Sequence, residues 1–448
     1  MNILVLNGSP KGKYSVTLQT VLYLEKLHQD IEFTYLNVGQ SIKALEKDFT
    51  KAETLIKKAD VLLFAYPVYT FLAPAQVHRF IELLKQSNID FSGKIATQIT
   101  TSKHFYDVTA HKYIEQNCMD LGIDFVRGLS SDMDDLLTEK GKLQARQYFA
   151  NLLFSIKNQT FLPKFETVKS TSPCYLQCLK DTDKTKNYNV VILTNCSKED
   201  TSLSNMITDF LKILPAKSKI VNINDFKFSA GCLGCLKCAF TGKCVQKDNF
   251  DEFLRTEVQS ADSIVYAFTI TDHYTGSSMK FYDDRQFCNG HRQVTEGMPI
   301  GYIISGNYKN EPNLQMVVEA RSEVSGNYLT YIATDEENTS NELEKLANSL
   351  IYALDNHLTR PSNFYGVGGN KIFRDLVYKM QGIMKEDHKF YKKNGKYDFP
   401  QKCKPTIWFM KFSGCMMRNK KIAKKINMNN IVLMPYKKAI ETATKSNN

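Results

Sequence analysis

The chain has 448 residues, 43% hydrophobic and 23% charged, with a net charge of +11, the composition of a globular protein with ample core rather than a disordered one. No apolar run is long enough to span a bilayer, because the longest, Val61 to Ala75, is broken by Pro67 and Pro74. The opening MNILVLNG lacks the basic segment and cleavage site of an export signal, and the eleven cysteines are an odd number, so thiols and metal ligands in a cytoplasmic protein are expected over a disulfide framework.

In chain order, Asn2 to Asn7 reads as a short apolar strand, Gly8 to Ser15 (GSPKGKYS) as a loop, and Val16 onward as an amphipathic helix. Backbone N–H groups at a helix start, with Ser and Thr hydroxyls beside them, make a phosphate cradle. The loop is neither G-x-G-x-x-G nor a Walker sequence, which disfavours a dinucleotide or nucleoside triphosphate; a plain Gly-Pro turn is the bland alternative. Strands follow at Val61 to Tyr69 and Lys94 to Thr100. Lys164 to Lys186, rich in Thr, Ser, Lys and Asp and holding Pro173, Cys174 and Cys178, reads as a linker with ordinary thiols. The same grammar then restarts: a strand at Asn189 to Thr194, a loop at Cys196 to Ser202, a helix from Leu203, and strands near Ser263 and Pro299. Apolar strands alternating with helices imply a parallel sheet covered on both faces, and the repeat implies a duplicated domain.

The second copy carries an insertion holding Cys232, Cys235, Cys238 and Cys244, a C-x2-C-x2-C-x5-C run with Gly231, Gly234 and Gly242 among them. Four thiolates in one compact run suit a [4Fe–4S] cluster; zinc and unmetallated thiols are the rivals. After Leu358 the strand grammar stops. The stretch from Leu358 to the end holds 20 Lys+Arg against 5 Asp+Glu, a net +15, which leaves −4 on the first 357 residues. Such a tail attracts an acidic protein, an anionic membrane surface or nucleic acid, or is a solvated lysine-rich surface; no nucleic-acid-binding motif accompanies it, so nucleic acid is disfavoured. Gly366 to Asp375 (GVGGNKIFRD) reads as a tight turn entering a helix over Lys371 to Met384, with Ile372, Phe373, Leu376, Val377 and Met380 on one apolar face.

The loop GSPKGKYSVT and the later Ala65-YPVYTFLAPAQVHRFIE resemble the flavodoxin-like NAD(P)H-dependent FMN reductases. The cysteine run with Asp248 resembles that of their iron–sulfur flavoprotein branch, and Lys280, Asp284 and Arg285 resemble the Lys…Asp-Arg helix of the family. The resemblance implies two tandem flavodoxin-like doubly wound parallel α/β sheets plus a basic, partly helical C-terminal extension. The boundaries expected are 1–165 for the FMN domain, 166–187 for the linker, 188–357 for the cysteine domain and 358–448 for the extension. It also implies that Ser9, Lys11, Ser15, Val16 and Thr17 hold the FMN phosphate. Pro67, Val68 and Tyr69 would lie against the ring, Tyr66 could stack on it, and Thr100 and Thr101 would belong to a third loop. Cys232, Cys235, Cys238 and Cys244 would hold the cluster.

The function expected is a flavin- and iron–sulfur-dependent oxidoreductase reducing a small acceptor such as a quinone, nitro or azo compound, with NAD(P)H or a reduced carrier as donor. An electron-transfer flavoprotein delivering electrons to a partner reductase is one alternative; a redox- or metal-sensing binding protein is another. An acidic electron-transfer protein, a ferredoxin or flavodoxin, is an expected partner. The family pattern allows a homodimer. A tandem chain could instead reproduce the dimer internally, with the cysteine loop facing the first-half flavin. The second half's own loop carries Glu199 and Asp200, which repel a phosphate. His104, His273 and His291 fall near strand ends as polar loop residues or proton donors.

Overall fold

A computed structural model describes residues 1–164 and 175–417. The first sheet forms from β1 (Asn2–Asn7), β2 (Glu32–Leu36), β3 (Val61–Pro67), β4 (Ile95–Ser102), β5 (Asp124–Phe125) and β6 (Leu129–Asp132). All its pairs are parallel, in the order β2-β1-β3-β4-β5, with β6 also on β4. The helices between them are α1 (Val16–Leu27), α2 (Val38–Leu45), α3 (Thr50–Lys58), α4 (Ala75–Gln86), α5 (Asp107–Asp120) and α6 (Glu139–Asn158). Six residues of β3 are buried in succession, as a strand covered on both faces requires.

The second sheet repeats the first. Its strands are β7 (Lys186–Thr194), β8 (Ala216–Asn222), β9 (Ser263–Thr269), β10 (Pro299–Ser305) and β11 (Tyr328–Thr334), in the order β11-β10-β9-β7-β8. Counted within the second half this is the same 2-1-3-4-5 order, the flavodoxin-like doubly wound arrangement. Its helices are α7 (Thr201–Ile213), the short α8 (Lys237–Thr241) and α9 (Phe250–Phe253) of the insertion, α10 (Gly276–Arg285), α11 (Pro312–Ser325) and α12 (Thr339–Asp355). The fold is thus two parallel α/β sheets. Pro173 and Cys174 of the linker lie outside the described residues, whereas Cys178 meets Ser340 Oγ at 2.9 Å.

Equivalent helices of the two halves meet: α4 packs on α10 and α5 on α11. The contact is reciprocal. Asp284 of α10 accepts the Ala75 N–H at the start of α4 (2.8 Å), and Glu82 of α4 accepts the Ser277 N–H at the start of α10 (2.7 Å). Each carboxylate thereby satisfies an N-terminal N–H group of the opposite helix and faces its positive dipole end.

Beyond α12, α13 (Phe364–Lys379) packs on α11, and α14 (Lys385–Lys393) follows. The GVGG sequence lies inside α13, so the turn expected there is corrected. A Cβ on Gly366 would sit 2.8 Å from the Glu323 carbonyl, and one on Gly369 would sit 2.7 Å from Val324 Cγ2. These glycines serve close helix approach rather than a bend. Residues from Tyr391 onward form a separate unit, holding α15 (Lys404–Met417); Lys420, Lys421, Lys424 and Lys425 lie outside the described residues. Among the described residues no helix is long and apolar enough to cross a membrane.

Candidate functional site

The carboxyl ends of β1, β3 and β4 converge where the strand order reverses, the place at which doubly wound sheets bind ligands. After β1, Gly8 donates its N–H to Ala65 O (2.8 Å), and a Cβ on Gly8 would meet Val77 Cγ2 at 2.3 Å. The loop therefore lies tightly on β3. Ser15 caps α1 by accepting the Leu18 N–H (3.3 Å), and Thr17 Oγ1 is 2.6 Å from Thr101 Oγ1 across the sheet end. Ser9, Ser15 and Thr17 are all buried, yet they line one cavity of about 270 Å³. Lys11 and Val16 complete that end. Buried hydroxyls and a helix start can cradle an anion.

Pro67, Val68 and Tyr69 line the same cavity, and so does Thr101. Thr100 does not. Successive residues of a strand face opposite sides, and Thr100 Oγ1 turns away to His111 Nε2 at 2.8 Å. Tyr66 is also absent from the lining, being fully buried with its hydroxyl donated to Gln98 Oε1 (2.6 Å).

All four cysteines of the second-half insertion line this first-half cavity. Tyr69 is the contact between them. Gly234, at φ +59°, lies so close that a Cβ there would be 2.0 Å from Tyr69 Oη. Burial, then Cys232, Asp284 and Cys235, pushes the Tyr69 phenol well above its ordinary range, so it stays a neutral donor. Lys280, with no exposed surface, donates to Tyr69 O (2.8 Å) and pairs with Asp284. The Pro67–Tyr69 loop of one half is thus fixed by a buried ion pair of the other.

The cysteine loop is braced from behind by Arg285. Its guanidinium binds both carboxylate oxygens of Asp248 (2.6 and 2.7 Å), donates to Ala230 O (2.8 Å), and lies 3.8 Å from Cys244 Sγ. Burial alone would raise the Asp248 pKa, but Arg285 and Ser229 outweigh it and hold the carboxyl below its usual range. Cys232 accepts the Gly234 N–H at 3.4 Å, and Cys238 donates to Phe287 O at 2.8 Å. Burial pushes the Cys238 thiol up to about 11, helped by Asp387 and the neighbouring cysteines. Burial raises the Cys232 thiol as well, so without a cation Cys232 and Cys238 keep their protons; a metal would drive them off. Among the described residues no group of three or more His, Cys, Asp or Glu is already drawn together for a metal ion. The donor set nevertheless fits one: four thiols on one wall, with N–H groups directed at two of the sulfurs.

The second half offers no equivalent cradle. Asp200 accepts the Ser197 N–H (2.8 Å). Asp335, 1% exposed, accepts from Ser202 Oγ (2.8 Å), Ser305 Oγ (2.6 Å) and the Gly306 N–H (2.8 Å). Two of the chain's own carboxylates take the donors that an anion would need, and they would repel it.

Residues 1–119 match the family model of NADPH-dependent FMN reductase. An iron–sulfur flavoprotein of Archaeoglobus fulgidus is 34% identical over 73 residues, 16% of this chain and 33% of that protein, so the match spans about a third of the curated relative's length. Among solved structures, general stress protein 14 of Treponema denticola in complex with FMN is 14% identical over 35% of this chain and 98% of its own, with a TM-score of 0.29. An FMN-dependent NADH-azoreductase of Bacillus anthracis is 13% identical over 36% and 99%, with a TM-score of 0.27. Likenesses this low say nothing about activity.

Other lining residues come from segments with no site signal in the sequence: Phe287 and Cys288 from the turn after α10, Ile372, Phe373 and Leu376 from α13, and Met380 from its C-cap; His291, a candidate proton donor by its place near a strand end, joins them. Burial pushes the Cys288 thiol up to about 12; as a lone cysteine more than forty positions past the run it gave no spacing signal. His291 shares a 3.0 Å contact with Asp387. His104 pairs with Asp107 and His273 with Asp120 and Glu311.

Proposed function

We propose that the chain is a flavin-dependent oxidoreductase whose first half binds FMN and whose cysteine loop binds a [4Fe–4S] cluster, reducing a small organic acceptor. The observation that carries this reading is the shared cavity: the anion loop and ring loop of one half and the four thiols of the other line one space. Bound FMN supplies hydride or one-electron chemistry, and a cluster held by Cys232, Cys235, Cys238 and Cys244 supplies single electrons. The N–H groups at the start of α1, with Ser9, Lys11, Ser15 and Thr17, neutralise and orient the phosphate. Pro67, Val68 and Tyr69 support the ring, and Lys280 and Asp284 keep Tyr69 in place. The Gly234 N–H and Arg285 stabilise negative charge on the Cys232 and Cys244 sulfurs. The donor in this reading is NAD(P)H or a reduced carrier.

The test is oxygen-free purification followed by flavin, iron and sulfide analysis. Ser15→Asp should expel FMN by setting a carboxylate against the phosphate, and Cys238→Ser should lose iron while keeping FMN. Flavin retained in Ser15→Asp would refute the phosphate site.

One observation favours a second reading, an electron-transfer flavoprotein fed by an acidic carrier. Cys235 is exposed, and Lys237, Lys243 and Lys247 beside it are exposed and without carboxylate partners among the described residues. A basic rim of this kind steers acidic proteins, and its effect falls as salt rises. A rate with reduced ferredoxin that drops in Lys237→Glu and with added salt would favour this reading over nicotinamide as donor.

A further inference from the structure

One wall of the cavity comes from neither half's ligand loops. α13 contributes Ile372, Phe373 and Leu376 to the lining and its C-cap contributes Met380, at i, i+1, i+4 and i+8, while Val377 between them is fully buried elsewhere. The helix is anchored by contacts to both halves. Asn363 caps it by accepting the Tyr365 N–H (2.9 Å), Tyr106 Oη donates to Tyr365 O (2.7 Å), and Phe373 stacks on Phe105 with ring centres 4.4 Å apart. It therefore bridges both halves directly over the cavity.

Charge separates the two ends of this space. Lys11, at the anion loop, has no carboxylate partner among the described residues. Away from that loop, each lysine and arginine on the lining meets its own acid: Lys103 meets Asp132 and Asp134, and Arg285 meets Asp248; the His291 ring contacts Asp387. Lys237, Lys243 and Lys247 lie on the exposed rim of the cysteine loop and are not part of this lining, so a second anion entering beside α13 would lose its water against apolar side chains, whereas an uncharged ring would cover aliphatic surface left partly open.

We propose that Phe373, Leu376 and Met380 are specificity-determining residues that admit flat, uncharged acceptors and exclude anionic ones. This rests on the flavin-oxidoreductase reading above. The probe pair is a neutral naphthoquinone and its sulfonated counterpart, which share a ring; each gains two electrons from two reduced methyl viologen cations and two protons from water, giving the hydroquinone.

In the FMN-loaded wild type the neutral quinone should show a KM at least about tenfold lower than the sulfonate, since the buried sulfonate lacks a partner. Calorimetric binding to the oxidised protein, a readout independent of turnover, should give the same order. Leu376→Lys supplies a cation at the wall and should bring the two KM values and the two Kd values together, whereas Leu376→Met should keep them apart. Met380→Lys repeats the test if Leu376→Lys does not fold. An unchanged neutral-to-sulfonate ratio in a folded, FMN-loaded lysine variant overturns the proposal. Failure of the underlying reading shows itself differently, as wild-type protein without flavin, and overturns both.

Discussion

Gly234 of the second half packs directly against Tyr69 of the first. Its φ of +59° is a conformation other residues adopt at a cost of about 1–2 kcal/mol, and a Cβ would also collide with Tyr69 Oη. Gly242 has a similar φ of +76°, but a Cβ there meets nothing nearer than Glu386 Cγ at 3.9 Å. Gly234→Ala should therefore cost about 1–3 kcal/mol more than Gly242→Ala, through overpacking, and should disturb FMN binding as well. Chemical denaturation of both variants, with flavin content, checks this; equal losses would show that Tyr69 does not press on the loop. At the same scale, Lys280→Met leaves Asp284 buried without its cation and should destabilise by about 3–5 kcal/mol. A loss below about 1 kcal/mol in the same assay would mean that the pair is not buried as described.

Among the elements, the parallel strands and the loop between β1 and α1 were legible because they carry local signals: unbroken apolar runs, and Gly and Ser at a helix start. Thr100 was misplaced because a loose loop match does not say where the strand ends, and its pleat turns Thr100 from the cavity that Thr101 faces. GVGG misled for a different reason. Glycines signal turns locally, but here they admit α11 against α13, a tertiary contact with no local signature. The reciprocal capping of α4 and α10 was equally hidden, since Glu82 looks like a surface acid in the sequence and the Lys280–Asp284–Arg285 pattern does not say which helix Asp284 caps. At this interface His273 bridges Asp120 of the first half and Glu311 of the second, at 3.0 and 2.9 Å. Burial opposes its charge, but the two carboxylates prevail and raise its pKa to about 9. Because the folded pKa lies above the unfolded value, this stabilisation is complete below about pH 6.5 and disappears as pH rises through about 9. Stability should thus fall by on the order of 2–3 kcal/mol across that window. Urea unfolding of wild type against His273→Gln measures it; parallel pH profiles would remove His273 from the account.

At the scale of the whole molecule, the two halves share one sheet order but differ at the carboxyl ends of their strands. In the first half Ser9, Ser15 and Thr17 line a cavity, whereas in the second Asp200 and Asp335 accept from the corresponding N–H and hydroxyl donors and the chain carries the cysteine insertion. The meeting of α4 with α10 accompanies the approach of that insertion to Tyr69. In the reading proposed above neither half has a complete site alone, and α13 of the C-terminal extension lines the shared space. The most direct test is the cofactor content of the full chain purified without oxygen. The account predicts one FMN with about four irons and four sulfides per chain, as a single [4Fe–4S] cluster demands. Cys238→Ser should lose the iron and sulfide and keep the FMN. Stoichiometric zinc without sulfide, or two flavins per chain, would contradict it.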